Sequence, residues 1–178
     1  MAEAEFPTWI RLIDIIVGII SVLAAVLIII GSTLSHLVVI FVLSISIMAI
    51  GIARAARAAA VKAKGVPRRL VNITTGSVAI VISLFLLIAT GLAEPLMIQL
   101  VALAWLVLGL ARLAIGVLEK DVDRRLRMSQ FLIGGVSVIV AIVISIYPEV
   151  NTTLALALLG VIVGMNGMAR VARGYVGV

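Results

Sequence analysis

The chain has 178 residues, 64% of them hydrophobic and 12% charged, whereas a soluble domain carries about 25% charged residues. An ordinary soluble fold is therefore excluded. The formal charge is +6, with 14 Lys and Arg against 8 Asp and Glu, and there is no cysteine, which rules out disulfides, thiolate nucleophiles, thiolate metal sites and S-palmitoylation.

Residues 1–9 lack the basic segment and small-residue cleavage site of a signal peptide, so the first apolar run is expected to stay in the mature protein. That run covers 10–30, begins with Arg11 and Asp14, and carries Gly18 about two turns in. A short turn holding His36, the single histidine, leads to the second run, 37–53, which ends in Gly51-Ile-Ala-Arg54. The Ala- and base-rich linker 53–69 is able to continue as helix until Gly65 and Pro67 stop it. The third run, 70–90, follows Arg69 and contains Asn72 and Gly76; the fourth, 96–111, contains Gln99 and Trp105 and closes with Gly109-Leu-Ala-Arg112. Linker 118–127 mixes both signs of charge. The fifth run, 128–147, follows Arg127 and contains Gln130, Gly134 and Gly135, and the sixth, 152–169, closes with Gly167-Met-Ala-Arg170.

A bilayer core of about 30 Å needs about 20 helical residues to cross, and six runs of this length leave too little polar surface to cover them in water. Within lipid only helices or a closed barrel satisfy the backbone, and the alternating pattern of barrel strands is absent. The expected class is an all-α integral membrane protein with six transmembrane helices. All the Lys and Arg fall on one side of these spans, while the turns 31–36, 91–95 and 148–151 contain none. By the positive-inside rule both termini are expected in the cytoplasm. No aromatic residues interleave with the bases, so topology and anionic headgroups explain them better than nucleic acid does.

The runs repeat. Arg11, Arg69 and Arg127 stand 58 residues apart, as do Gly18, Gly76 and Gly134, Gly51, Gly109 and Gly167, and Arg54, Arg112 and Arg170. Internal repetition fixes architecture before any local reading. It gives one membrane domain over 1–178, with units near 7–64, 65–122 and 123–178. Each unit holds two spans, so the units are parallel repeats. Three hairpins around a pseudo-threefold axis is the simplest closed arrangement, with a side-by-side row as the alternative. The glycines serve close helix packing in this reading, because lipid supplies no hydrophobic drive for association; hinges or pore kinks are the other use for them. Gly160-xxx-Gly164 and Ser137-xxx-Ala141-xxx-Ser145 extend the small-residue pattern, and no proline lies inside a span.

Candidate chemistry is sparse. Asp14, Asn72 and Gln130 occupy one repeat position and read either as a polar ring that binds an ion or headgroup, or as hydrogen-bonding ties between units. Arg11 lies three residues before Asp14, so the two can meet on one helix face. Arg54, Arg112 and Arg170 are expected to snorkel to the interface. Alternatively they converge with Arg11, Arg69 and Arg127 into a six-guanidinium site for phosphate-bearing ligands, with anionic lipid foremost. His36 and Glu94 share a repeat position at the outer surface. Trp9 is expected to anchor the inner interface and Trp105 to pack. One histidine gives no metal site, no cofactor is implied, and no Walker loop, dinucleotide fingerprint, zinc-binding helix or nucleophile elbow occurs. An enzyme is not expected.

The paired spans, the early glycines of the odd spans, the Gly-x-Ala-Arg endings and the outer-turn prolines Pro95 and Pro148 resemble the HdeD-like membrane proteins, a family of short two-span repeats. The first outer turn (Gly-Ser-Thr-Leu-Ser-His) departs from that pattern in having no proline, and Trp at an inner helix start occurs only as Trp9. The resemblance implies a multi-pass protein of the cell membrane, with a stress-response role in some bacterial members and no catalytic or binding residues. The expected function is a non-enzymatic scaffold or stress-associated protein acting through helix packing and anionic-lipid contacts. An accessory subunit of a larger membrane complex, a homo-oligomer, and a channel or carrier along the axis are the alternatives.

Overall fold

Long apolar segments satisfy their backbone groups in lipid by bonding within the segment, and the computed structural model of the protein is all-helical. The described residues are 7–30, 35–60, 66–89, 91–118, 124–147 and 151–176, and they contain no strand. The helices are α1 (Thr8–Ile30), α2 (His36–Ala60), α3 (Val66–Ile88), α4 (Glu94–Leu118), α5 (Arg124–Ile146) and α6 (Thr152–Val176). Each is long and apolar enough to cross a membrane.

Local chemistry sets the ends. Ser35 accepts from the Val38 amide through Oγ at 3.4 Å, and Asn151 accepts from the Thr153 amide through Oδ1 at 2.9 Å. Both are good N-cap residues, and they share one repeat position. Pro67 sits in the first turn of α3, where a missing amide hydrogen costs nothing. The even helices run several residues beyond their apolar runs, and in α2 that extension is Ala-rich, which keeps helical propensity after hydropathy has fallen.

Each odd helix buries one narrow stripe. In α1 it is Asp14, Gly18, Ser21, Ala25 and Ile28; in α3 Asn72, Gly76, Ala79, Ser83 and Leu86; in α5 Gln130, Gly134, Ser137, Ala141 and Ile144. The opposite face of α1 leaves Leu12, Ile16, Ile19, Leu23, Val26 and Ile30 exposed. Apolar exposure on this scale marks a surface made for lipid rather than water. Buried Ser21 and Ser137 donate to the carbonyls of Val17 and Ile133 on their own helices, at 2.8 and 2.7 Å, and so need no partner elsewhere.

Each even helix carries two buried stripes. One is a seven-residue spacing of small side chains: Ser44, Gly51 and Ala58 in α2, Ala102, Gly109 and Gly116 in α4, and Gly160, Gly167 and Gly174 in α6. The other is large and apolar, with Ile40, Leu43, Ile47 and Ile50 in α2, Ile98, Val101, Trp105 and Leu108 in α4, and Leu156, Leu159 and Val163 in α6. The large stripes meet where α2, α4 and α6 touch one another at the centre; the small stripes face the odd helices.

The tightest pairings therefore join different units. The most extensive helix contacts are α2 with α3, α4 with α5, and α6 with α1. All three cross at paired glycines. A Cβ on Gly51 would lie 2.8 Å from the Gly76 carbonyl oxygen, one on Gly109 would lie 3.0 Å from that of Gly134, and one on Gly167 would lie 2.7 Å from that of Gly18. The α6–α1 pair adds Gly160 against Ile28, Gly164 against Ala25 and Gly174 against Ile15, so the last unit closes onto the first. Gly135 has nothing within 4 Å of an added Cβ and takes no part in packing. Ser145, the outer member of the Ser137 series, is exposed.

Gly51→Ala forces a backbone contact apart, and overpacking of this kind costs about 1–3 kcal/mol. Thermal unfolding in detergent should show that loss, while Gly135→Ala is neutral or gains up to about 1 kcal/mol from helix propensity. Equal effects at the two positions would contradict the packing described.

Candidate functional site

Polar side chains are costly in the membrane interior unless partnered, so their grouping locates the site. Arg54, Arg112 and Arg170 stand one turn beyond the large apolar stripes and are no more than 6% exposed. The expected snorkelling does not occur. Helix continues past each arginine, and two of the side chains reach a neighbouring even helix. Arg54 Nη2 donates to the carbonyl of Leu108 at 3.2 Å, and Arg170 Nη2 donates to that of Ile50 at 3.3 Å. Each thus reaches the even helix of another unit, at the same repeat position.

The polar set of the odd helices meets these arginines. Arg170 Nη1 donates to Asp14 Oδ1 at 2.9 Å, and Arg112 Nη1 donates to Gln130 Oε1 at 3.4 Å. The third member differs: Arg54 Nη1 donates to Thr75 Oγ1 at 3.1 Å, while the Asn72 amide donates to the Arg68 carbonyl at 3.1 Å. Asp14 also takes Arg57 Nη2 on its second oxygen. Its expected partner, Arg11, lies elsewhere and donates to the carbonyls of Gly174 and Tyr175, both at 3.2 Å. The stripe that carries Asp14 faces α6, so the carboxylate is drawn across the unit boundary rather than along its own helix.

The structure thus brings together three of the six arginines singled out by repetition. Arg11 is half-buried at the α1–α6 joint, Arg69 is exposed and Arg127 is half-buried. Two arginines outside that set join the cluster instead. Arg57 and Arg173 lie one turn beyond Arg54 and Arg170, and all five guanidinium groups stand within electrostatic reach of one another. Repetition hid this pair because the middle unit has Ile115 at that position. Among the described residues the one carboxylate in the cluster is Asp14. The Nε atoms of Arg112 and Arg170 are buried without a hydrogen-bond partner.

At the opposite end of the bundle His36, the first residue of α2, bridges the other two even helices. Its Nδ1 stands 2.7 Å from Glu94 Oε1 and its Nε2 stands 3.3 Å from Thr153 Oγ1. This contact is 40% and 36% exposed on its two sides. Between the ends, Trp105 is fully buried, and its indole nitrogen has no hydrogen-bond partner. Asn166 is buried in line with Ile50 and Leu108, its amide donating to the Ile162 carbonyl at 2.8 Å. Gln99 is half-buried and Trp9 half-exposed. On the outer wall Arg124, Arg125, Met128, Ser129 and Leu132 line a shallow groove on α5. No cluster of three or more metal-ligating side chains occurs among the described residues. Glu119, Asp121 and Asp123, which complete the mixed-charge linker, lie outside the described residues.

Comparison with models of protein families, with curated proteins and with solved structures returned no match.

Removing one partner of a buried ion pair costs about 3–5 kcal/mol, since it strands the other charge, whereas exposed pairs are worth less than about 1 kcal/mol. Asp14→Asn should therefore lower the unfolding free energy several times more than Glu94→Gln, as read from denaturant titration in detergent. The reverse order would show that Asp14 does not neutralise Arg57 and Arg170.

Proposed function

We propose that this multi-pass membrane protein is a non-enzymatic scaffold of the cell membrane, with both termini cytoplasmic and three hairpins set around a pseudo-threefold axis. It acts through helix packing and anionic-lipid contacts at its basic end. The HdeD-like resemblance and its stress association belong to the same reading. Support for three equivalent units comes from the glycine crossings, which recur at Gly51–Gly76, Gly109–Gly134 and Gly167–Gly18.

The observation that carries the scaffold reading is the filled centre. Leu43, Val101 and Leu159 are fully buried, as are Ile47, Trp105 and Val163, and each set occupies one repeat position. An ion or polar solute crossing there would shed its hydration with few polar groups to replace it. That favours a sealed bundle over a pathway along the axis. The lipid contacts fall to the arginines on the periphery: Arg69, Arg124 and Arg125 are exposed and Arg127 half-buried. A basic residue near an anionic headgroup layer contributes about 1 kcal/mol.

The test has two parts. Proteoliposomes should show no flux of protons, potassium or chloride above that of empty vesicles. Native mass spectra of gently extracted protein should show a monomer or homo-oligomer carrying anionic phospholipid. Combined Arg69→Gln and Arg124→Gln changes should cut that retention by about tenfold or more, at roughly 1 kcal/mol each. Flux above background would sink the sealed-scaffold reading. A second polypeptide at fixed stoichiometry would make the protein a subunit of a larger complex instead.

A further inference from the structure

Five guanidinium groups gather around the inner ends of the apolar stripes of α2 and α6 and the middle of the α4 helix end: Arg54, Arg57, Arg112, Arg170 and Arg173. Among the described residues Asp14 is the single carboxylate beside them, and it is shared by Arg57 and Arg170. At the two positions equivalent to Asp14 the chain places Asn72 and Gln130. Gln130 accepts from Arg112 while Asn72 donates to the Arg68 carbonyl, and neither amide supplies charge. A cluster serving stability alone would be better neutralised by carboxylates there, because buried like charges repel strongly at low dielectric.

Two of the buried guanidinium groups also have unfilled donors. A guanidinium presents five N–H groups. For Arg112, 3% exposed, the hydrogen bond to Gln130 is long at 3.4 Å and its Nε is unpartnered. Arg170, 4% exposed, spends Nη1 and Nη2 on Asp14 and Ile50, and its Nε too is unpartnered. A buried donor left without a partner costs about 1–3 kcal/mol. What completes such a group of forks is a compact anion with several acceptor oxygens, for which guanidinium geometry is best suited to phosphate.

We propose that the ends of α2, α4 and α6 form a binding site for one phosphate-type dianion, held by Arg54, Arg112 and Arg170 from within and by Arg57 and Arg173 from the half-buried rim. The site is a dead end. Immediately deeper lie Ile50, Leu108 and Asn166, all buried, with the Asn166 amide committed to its own helix. The anion therefore binds and ties the three central helices together; it does not pass. This site is separate from the lipid-facing arginines on the periphery and stands or falls without them. The phosphate comes either free from solution or on a phospholipid headgroup that reaches in at the rim.

The experiment uses the full chain in neutral detergent at pH 7, washed free of phospholipid. Inorganic phosphate is titrated against sodium chloride of equal ionic strength, with unfolding temperature and binding heat as readouts. A saturable rise in unfolding temperature at one phosphate per chain is expected, with Kd raised at least tenfold in Arg112→Gln and in Arg173→Gln. The second variant guards against loss of fold, because Arg173 Nε donates to Ala169 of its own helix, at 3.2 Å. Native mass spectra before washing separate the sources. One tightly held phospholipid, lost in Arg173→Gln, assigns the site to a headgroup; none, with phosphate binding intact, assigns it to the free anion. If phosphate acts on the washed wild type no more than chloride does, the proposal is overturned. Phosphate binding that both variants leave unchanged overturns it equally. Neither result depends on liposome flux or on retention of lipid at Arg69 and Arg124.

Discussion

Close approach of backbones at the three glycine crossings is the constraint on which the rest of this structure depends. Lipid tails are as apolar as leucine, so burying a leucine between helices gains little, and van der Waals contact at short range has to hold the bundle together. Hydrogen at the Cα of Gly51, Gly109 and Gly167 lets each even helix come against the carbonyl of a glycine in the next odd helix. From that contact follow the narrow stripes of the odd helices and the broad lipid-facing surface they leave behind. The even helices, fixed on their small faces by these crossings, are left to turn their large residues toward one another.

The polar layer follows from the same geometry. One turn beyond each even-helix glycine stands an arginine, and once the crossings are set its side chain is buried between helices. Burial of three guanidinium groups is expensive, and the chain offsets it unequally. Arg170 receives a carboxylate, Arg54 a hydroxyl and a carbonyl, and Arg112 a single amide oxygen. Arginines at one 58-residue spacing thus meet different partners.

Much of this was legible in the amino-acid sequence, for a definite reason. Hydropathy reports the solvent of a segment, so the six helices could be read from it, and the recurrence of Gly18, Gly51 and their equivalents marked positions under one steric demand. Repetition identifies which residues are equivalent, but not which residues face each other. Pairing Asp14 with Arg11 assumed that a helix satisfies itself, whereas Asp14 is held from two other helices, by Arg170 of α6 and Arg57 of α2. Arg57 and Arg173 escaped notice because Ile115 breaks their series. The small residues at 44, 51 and 58, with their repeats, were a signal available in the sequence. They mark a second face on the even helices, and with it the burial of the arginines.

The joint between α6 and α1 differs from the other two in one respect: no loop spans it. The α2–α3 and α4–α5 crossings join units that adjoin in the chain, but the α6–α1 crossing rests on contact alone. It is also the most glycine-rich of the three, with Gly160, Gly164, Gly167 and Gly174 all set against α1, and Arg11 reaching back to Gly174. Opening there strains no linker, and it exposes two complementary edges on one molecule. An edge freed from its own partner matches the opposite edge of any other copy, so the strength of this seam decides whether the chain closes on itself or exchanges ends with its neighbours.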